Sequence, residues 1–129
     1  MWAYVGTEGG SELLRVRIAE HLTKMEFDIE AAARRLAAEW MSQEPFRTLT
    51  NPILLANRER LLRIGPDGEV AEPSDGVLAI GLLAPFAMGA AKALVANTTL
   101  DGEAVVREAL RITIEAGGGS APCHCLELE

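Results

Sequence analysis

The chain has 129 residues, of which 49% are hydrophobic and 24% charged, and its formal net charge is −7. This balance predicts one globular domain with an ordinary core and excludes disordered and fibrous classes. Because an acidic chain repels a phosphate backbone, and its basic residues form no long cluster, we do not expect nucleic acid as a partner.

The first part of the chain predicts a short strand followed by two helices. Residues 2–6 are typical of a strand that ends at a turn-like run. Residues 11–23 have an apolar side chain at every fourth position, which predicts an amphipathic helix. These apolar residues are Leu14, Ile18 and Leu22. Asp28 is a candidate N-cap for a second helix over residues 29–42.

The middle of the chain predicts a β-hairpin. Residues 53–55 and 61–64 are apolar runs, joined by the charged link Arg58-Glu59-Arg60. We interpret this link as a solvated turn rather than a binding patch. Pro66-Asp67-Gly68 has the residue types of a tight turn, and residues 69–71 are a candidate short strand after it.

The last part predicts one more strand and two more helices. The continuous apolar character of Val77 to Ile80 predicts a strand that is covered on both faces, at the centre of a sheet. Two helices are expected near residues 85–97 and 102–116, the second capped by Asp101. Residues 122–128 are a candidate final strand.

Several short motifs of the chain resemble those of one known protein family. Residues 90–94 read Ala-Ala-Lys-Ala-Leu where that family has Ala-Ala-Arg-Ala-Leu, and residues 97–100 read Asn-Thr-Thr-Leu where it has Asn-Thr-Glu-Leu. Residues 36–40 resemble its Leu-Ala-Lys-Asp-Trp, and residues 65–70 its Gly-x-Gly-Asp-Val turn. The family is the bacterial proteasome-like HslV peptidase family, and the resemblance runs in the same order, almost without gaps, from about residue 3 to the end.

The resemblance implies an α/β (α+β) fold of the N-terminal nucleophile hydrolase type, in which two stacked sheets lie between helical layers. It implies a single domain over residues 1–129, truncated at the N-terminus. Members of the family assemble into rings that are capped by an unfolding ATPase. We therefore expect a homo-oligomer, as a dimer or a ring, and an AAA+ unfoldase as a partner.

The resemblance also implies that the catalytic apparatus is incomplete. In the family, a mature N-terminal threonine supplies the attacking hydroxyl and its α-amine supplies the base. This chain begins at Met1, so we expect the nucleophile to be absent, and Thr7 has no free α-amine with which to replace it. Gly6 matches a family glycine that donates to the oxyanion. Leu82 stands where the family has a serine near the threonine. At the cation site of the family, only Ser120 resembles the family's residue, which is a threonine, so no metal residue is predicted.

Other chemical interpretations of the sequence are weaker. Cys123-His124-Cys125 contains good zinc ligands, but no second cysteine pair completes a tetrahedral set. His21, the other histidine, is expected on a helix surface, which argues against a cysteine–histidine nucleophile. Gly6 to Gly10 follows a strand as a phosphate loop would, but it lacks the required lysine and glycine spacing.

The compartment also follows from the sequence. The longest apolar stretch is interrupted by Pro85 and Lys92, and the first residues lack the basic region of a signal peptide. Cys123 and Cys125 are too close together for a useful mutual disulfide. We expect a cytoplasmic protein that needs no cofactor and does not enter a membrane.

Two functional hypotheses remain at this point. One is a non-catalytic structural or assembly subunit, that is, a pseudoenzyme of the family. The other is an ATP-dependent threonine-type peptidase subunit that is incomplete here or is completed by a partner. We also expect an uncovered sheet edge to drive self-association.

Overall fold

The computed structural model describes residues 1–6, 11–117 and 127–128. It divides into two compact units, one built on Met1–Gly76 and one on the residues from Val77 onward. Each unit has its own small apolar core. Among the described helices, none combines the length and the apolar character that crossing a bilayer requires.

The Met1–Gly76 unit is an α+β arrangement of two helices on a four-stranded sheet. Its strands all pair antiparallel, in the order β1-β2-β3-β4. The elements are β1 (Trp2–Gly6), α1 (Ser11–Lys24), α2 (Ile29–Ser42), a short 3-10 helix (Phe46–Thr48), β2 (Ile53–Asn57), β3 (Leu61–Ile64) and β4 (Val70–Ala71). The predicted hairpin, the short strand after it and both helices are therefore confirmed.

One face of the sheet forms the core with α1 and α2. In the antiparallel register Tyr4 lies opposite Leu55 and Leu55 opposite Leu62, so these side chains share a face. The helices cover this face with their own apolar stripes. The largest fully buried apolar side chains of the unit are Leu14, Ile18, Leu22, Leu36, Trp40, Ile53, Leu55, Leu62 and Ile64.

Local signals fix the ends of these elements. The Asp28 carboxylate accepts a hydrogen bond of 3.0 Å from the Ala31 amide, which confirms it as the N-cap of α2. The Asn57 side chain accepts hydrogen bonds from the amides of Glu59 and Arg60 and so closes the β2–β3 link. Gly68 has φ of +81° in the turn before β4, a conformation that favours glycine.

The described part of the second unit contains two helices, α3 (Ala84–Asn97) and α4 (Gly102–Gly117). They pack through a small core of Ala91, Val105 and Ala109. Asp101 accepts a hydrogen bond of 2.8 Å from the Ala104 amide, as an N-cap does, so this predicted cap is confirmed. Both helices lie where the sequence predicted them.

The predicted central strand at Val77 to Ile80 is wrong. These residues form neither helix nor strand, and they are half-buried rather than covered on both faces. A strand exists only where a neighbouring strand satisfies its backbone groups, and the described sheet ends at β4. Val77 instead packs its side chain against the α3–α4 core. The predicted final strand lies outside the described residues, apart from residues 127–128, which are not in a strand.

Candidate functional site

The structure places Gly6 and Leu82, the two residues singled out by the resemblance, in different units. Gly6 is the last residue of β1, lies opposite Ile53 and is half-buried. Thr7, Ser120 and the Cys123-His124-Cys125 motif lie outside the described residues.

Leu82 occupies the turn that leads into α3. Gly81 before it has φ of +113°, which side chains rarely tolerate, and the amide of Ala84 donates to the Gly81 carbonyl across the turn. This conformation leaves Leu82 96% exposed. An aliphatic side chain at this point offers no hydrogen bond to a reacting group. The position can therefore contribute only apolar surface.

A buried polar cluster joins α1 and α2 in the Met1–Gly76 unit. The Nε and Nη2 atoms of Arg17 donate to the two Glu39 carboxylate oxygens, at 2.8 and 2.9 Å. The Nε2 atom of His21 lies 2.8 Å from Glu39 Oε2. The Nη1 atom of Arg17 also donates to Glu20, at 2.6 Å. Arg17 and His21 are four residues apart on α1, so both reach the same carboxylate of α2.

The prediction that His21 lies on a helix surface is wrong. Its side chain is 2% exposed, and the Glu39 side chain that it contacts is 9% exposed. The helical spacing contains the signal, because His21 is three residues after Ile18 and adjacent to Leu22, both of which are buried. The burial of His21 was missed because a polar histidine is not counted in an apolar stripe.

The charge state of Glu39 follows from its donors. Hydrogen bonds from Arg17, reinforced by the one with His21, lower the pKa of the Glu39 carboxyl to about 2 although burial raises it. The same contacts raise the pKa of Arg17 above its ordinary value. An ionised carboxylate only accepts hydrogen bonds, so Nε2 of His21 is the nitrogen that carries the proton in this pair.

This cluster is built to join helices rather than to activate a nucleophile. A general base must contact the hydroxyl or thiol that it deprotonates. His21 uses Nε2 on Glu39, and its Nδ1 is buried without a hydrogen-bond partner. Within the described ranges, the imidazole therefore contacts no nucleophile. The side-chain contacts instead tie α1 to α2.

We expect the Glu39 contribution to stability to disappear in acid. The folded-state pKa of Glu39, about 2, lies below the ordinary glutamate pKa of about 4.3. The stabilisation is therefore fully present at pH values above about 4.3 and is lost as the pH falls towards 2. Urea unfolding of the wild type and Glu39→Gln, followed by circular dichroism at several pH values, measures this contribution. The difference between the two proteins should be constant above about pH 5 and shrink below it.

Glu20→Gln is the matched control, because Glu20 contacts the same guanidinium with a side chain that is 48% exposed. Its difference from the wild type is expected to stay below about 1 kcal/mol at every pH. A Glu39→Gln difference that is the same at pH 3 and pH 7 would contradict the assignment.

A second ion-pair group surrounds Arg60 in the β2–β3 link. Its guanidinium donates to Glu30 at the start of α2, at 2.7 Å, and to Glu72 after β4, at 2.6 Å. These contacts lower the pKa of both carboxyls. All three side chains are about one-third exposed or more, so the group holds the hairpin in place with a modest contribution to stability. Arg60 is thus engaged within the chain, in keeping with a structural link.

The described residues contain no group of three or more histidine, cysteine, aspartate or glutamate side chains placed to hold a metal ion. Cys123 and Cys125, which the sequence offers only as an incomplete set of zinc ligands, lie outside this part of the chain. Among the described residues, the candidate features are thus the ion-pair clusters around Glu39 and Arg60, the exposed Leu82 before α3 and the end of β1.

No protein-family model matches the sequence. Among curated proteins, the ATP-dependent protease subunit HslV of Pseudothermotoga lettingae is 35% identical over 112 residues, which are 87% of this chain and 64% of that protein. The protein of the same name from Caldicellulosiruptor saccharolyticus is 33% identical over 84% of this chain and 62% of its own length. That of Desulfovibrio desulfuricans is 40% identical over 65% of this chain and 48% of its own length. The chain thus spans between 48% and 64% of these relatives.

Solved structures also match this chain. Eukaryotic HslV from Trypanosoma brucei matches with a TM-score of 0.83 and 28% identity, over 93% of this chain and 70% of that one. The protein BPH of Thiobacillus denitrificans matches with a TM-score of 0.57 and 20% identity, which is a likeness of fold alone.

Proposed function

Because this chain belongs to the HslV-like proteins of the proteasome family, we propose that it is a non-catalytic structural or assembly subunit, a pseudoenzyme of that family. The observation that carries the proposal is Leu82. It stands where the resemblance places a serine close to the reacting threonine, and it is 96% exposed with no group that can form a hydrogen bond. Gly6 is then a remnant of the oxyanion strand without catalytic use.

The buried histidine supports the same proposal. In the described part of the chain, Nε2 of His21 is hydrogen-bonded to Glu39, and its Nδ1 is buried without a hydrogen-bond partner. Acyl transfer needs a nucleophile with a base beside it, whether the base is a side chain or an N-terminal amine. No contact of His21 provides such a pair.

The second candidate is an ATP-dependent threonine-type peptidase subunit that is incomplete here or is completed by a further polypeptide. It is favoured by one specific observation, which is that the chain spans only 48% to 64% of the curated relatives it matches. A polypeptide supplying the remaining length could bring a threonine with a free α-amine. The two candidates differ in whether added chain restores activity.

We expect the purified 129-residue chain to hydrolyse no small fluorogenic peptide, with or without an added unfoldase and ATP. Leu82→Ser should not restore turnover, because the new hydroxyl would supply one hydrogen bond but neither a threonine nucleophile nor its α-amine base. Leu82→Ala is the matched variant without the hydroxyl and is expected to behave in the same way.

Turnover that survives repurification and resists inhibitors of contaminating proteases would contradict the pseudoenzyme proposal. Turnover that appears only when a separately expressed polypeptide with the relatives' remaining length is added would support the second candidate. Inactivity of that mixture would favour the first.

The proposed partners are further copies of the same chain, in a dimer or ring, and an AAA+ unfoldase. β1 supports self-association because it is an outer strand of the sheet in the described part of the chain, contains no charge or proline, and exposes 51% of Val5. Proteins usually protect such an edge with charged residues, bulges or a covering element. The contact should bury an area on the order of 800 Å² per partner. We place the protein in the cytoplasm.

Light scattering at micromolar concentration should show a species larger than the monomer. Val5→Lys should shift it to the monomer, because a lysine on an edge strand opposes strand pairing. Val16→Lys is the matched control, since Val16 is 45% exposed but lies on α1, and it should leave the assembly unchanged. A well-folded wild-type monomer would refute self-association, and equal effects of both lysines would refute the assignment to β1.

A further inference from the structure

We draw no further inference here: the strongest candidate, the patch of exposed apolar side chains formed by Phe86 on α3 and by Leu82 in the turn before it, carries none because nothing in the structure shows what covers it.

Discussion

Trp40→Ala is expected to lower the free energy of unfolding by about 4 kcal/mol, which is a large fraction of the stability of a small domain. Trp40 is 1% exposed and is the largest of the fully buried side chains. Its removal leaves a cavity between α2 and the sheet that the surrounding side chains cannot fill completely. Urea unfolding followed by circular dichroism measures the change.

Two further variants separate the causes of this loss. The indole Nε1 atom donates a hydrogen bond of 2.9 Å to the Leu49 carbonyl. Trp40→Phe removes this bond but keeps an aromatic ring, so it should cost clearly less than the alanine variant. Met41→Ala changes the next residue of α2, which is 56% exposed, and should cost below about 0.5 kcal/mol. Equal losses for the alanine variants at positions 40 and 41 would contradict the packing described for this helix.

Glu39→Ala is expected to cost roughly 3 kcal/mol, because removing one partner of a buried ion pair leaves the others uncompensated. Arg17, with a side chain that is 31% exposed, can recover water, but His21 is 2% exposed and would lose the hydrogen-bond partner of its Nε2 atom. The loss should appear in the urea midpoint at neutral pH, where Glu39 is ionised.

Glu20→Ala provides the comparison, because it removes a carboxylate from the same Arg17 guanidinium on the solvent side. Its effect should stay below about 1 kcal/mol. The double variant Glu39→Ala with His21→Leu tests the reason for the cost. It should recover part of the stability, since an apolar side chain in place of an orphaned imidazole needs no partner. A double variant that is less stable than Glu39→Ala alone would show that the orphaned imidazole is not the cause.

The helices could be predicted because each is specified locally. The spacing of Leu14, Ile18 and Leu22 and the caps Asp28 and Asp101 act within one or two turns of the chain. The β2–β3 hairpin is equally local, because its turn and both strands are adjacent in sequence. The structure confirms these elements for that reason.

The conformation of Val77 to Ile80 could not be predicted from such local signals. A continuous apolar run is compatible with a buried strand or with any other packed segment, and only a neighbouring strand distinguishes them.

The buried face of α4 differs from a purely apolar stripe. Its buried positions are Val105, Ala109 and Thr113, so a threonine occupies a place in the stripe that hydrophobicity alone does not indicate. The Thr113 hydroxyl donates to the Ala109 carbonyl at 2.7 Å, which satisfies it in the core.

The candidate site was predicted only in part. The family motifs led to Gly6 and Leu82, whose positions the structure now gives. The cluster of Arg17, His21 and Glu39 was missed because it joins residues of two helices, and charged side chains are expected in solvent. Helical spacing beside Ile18 was the only sequence signal for it.

The register of β1 has a consequence for the order in which the Met1–Gly76 unit folds. Trp2 pairs with Asn57, so β1 closes a loop that contains both helices, whereas β2, β3 and β4 pair with their sequence neighbours. Closing a long loop costs more chain entropy than forming a hairpin, and contacts between distant residues slow folding. We therefore infer that β1 docks after the other three strands have paired and separates first when the unit opens. The strand edge that we propose for binding a second copy therefore belongs to β1, the last strand to pair. Assembly thus depends on the completion of folding.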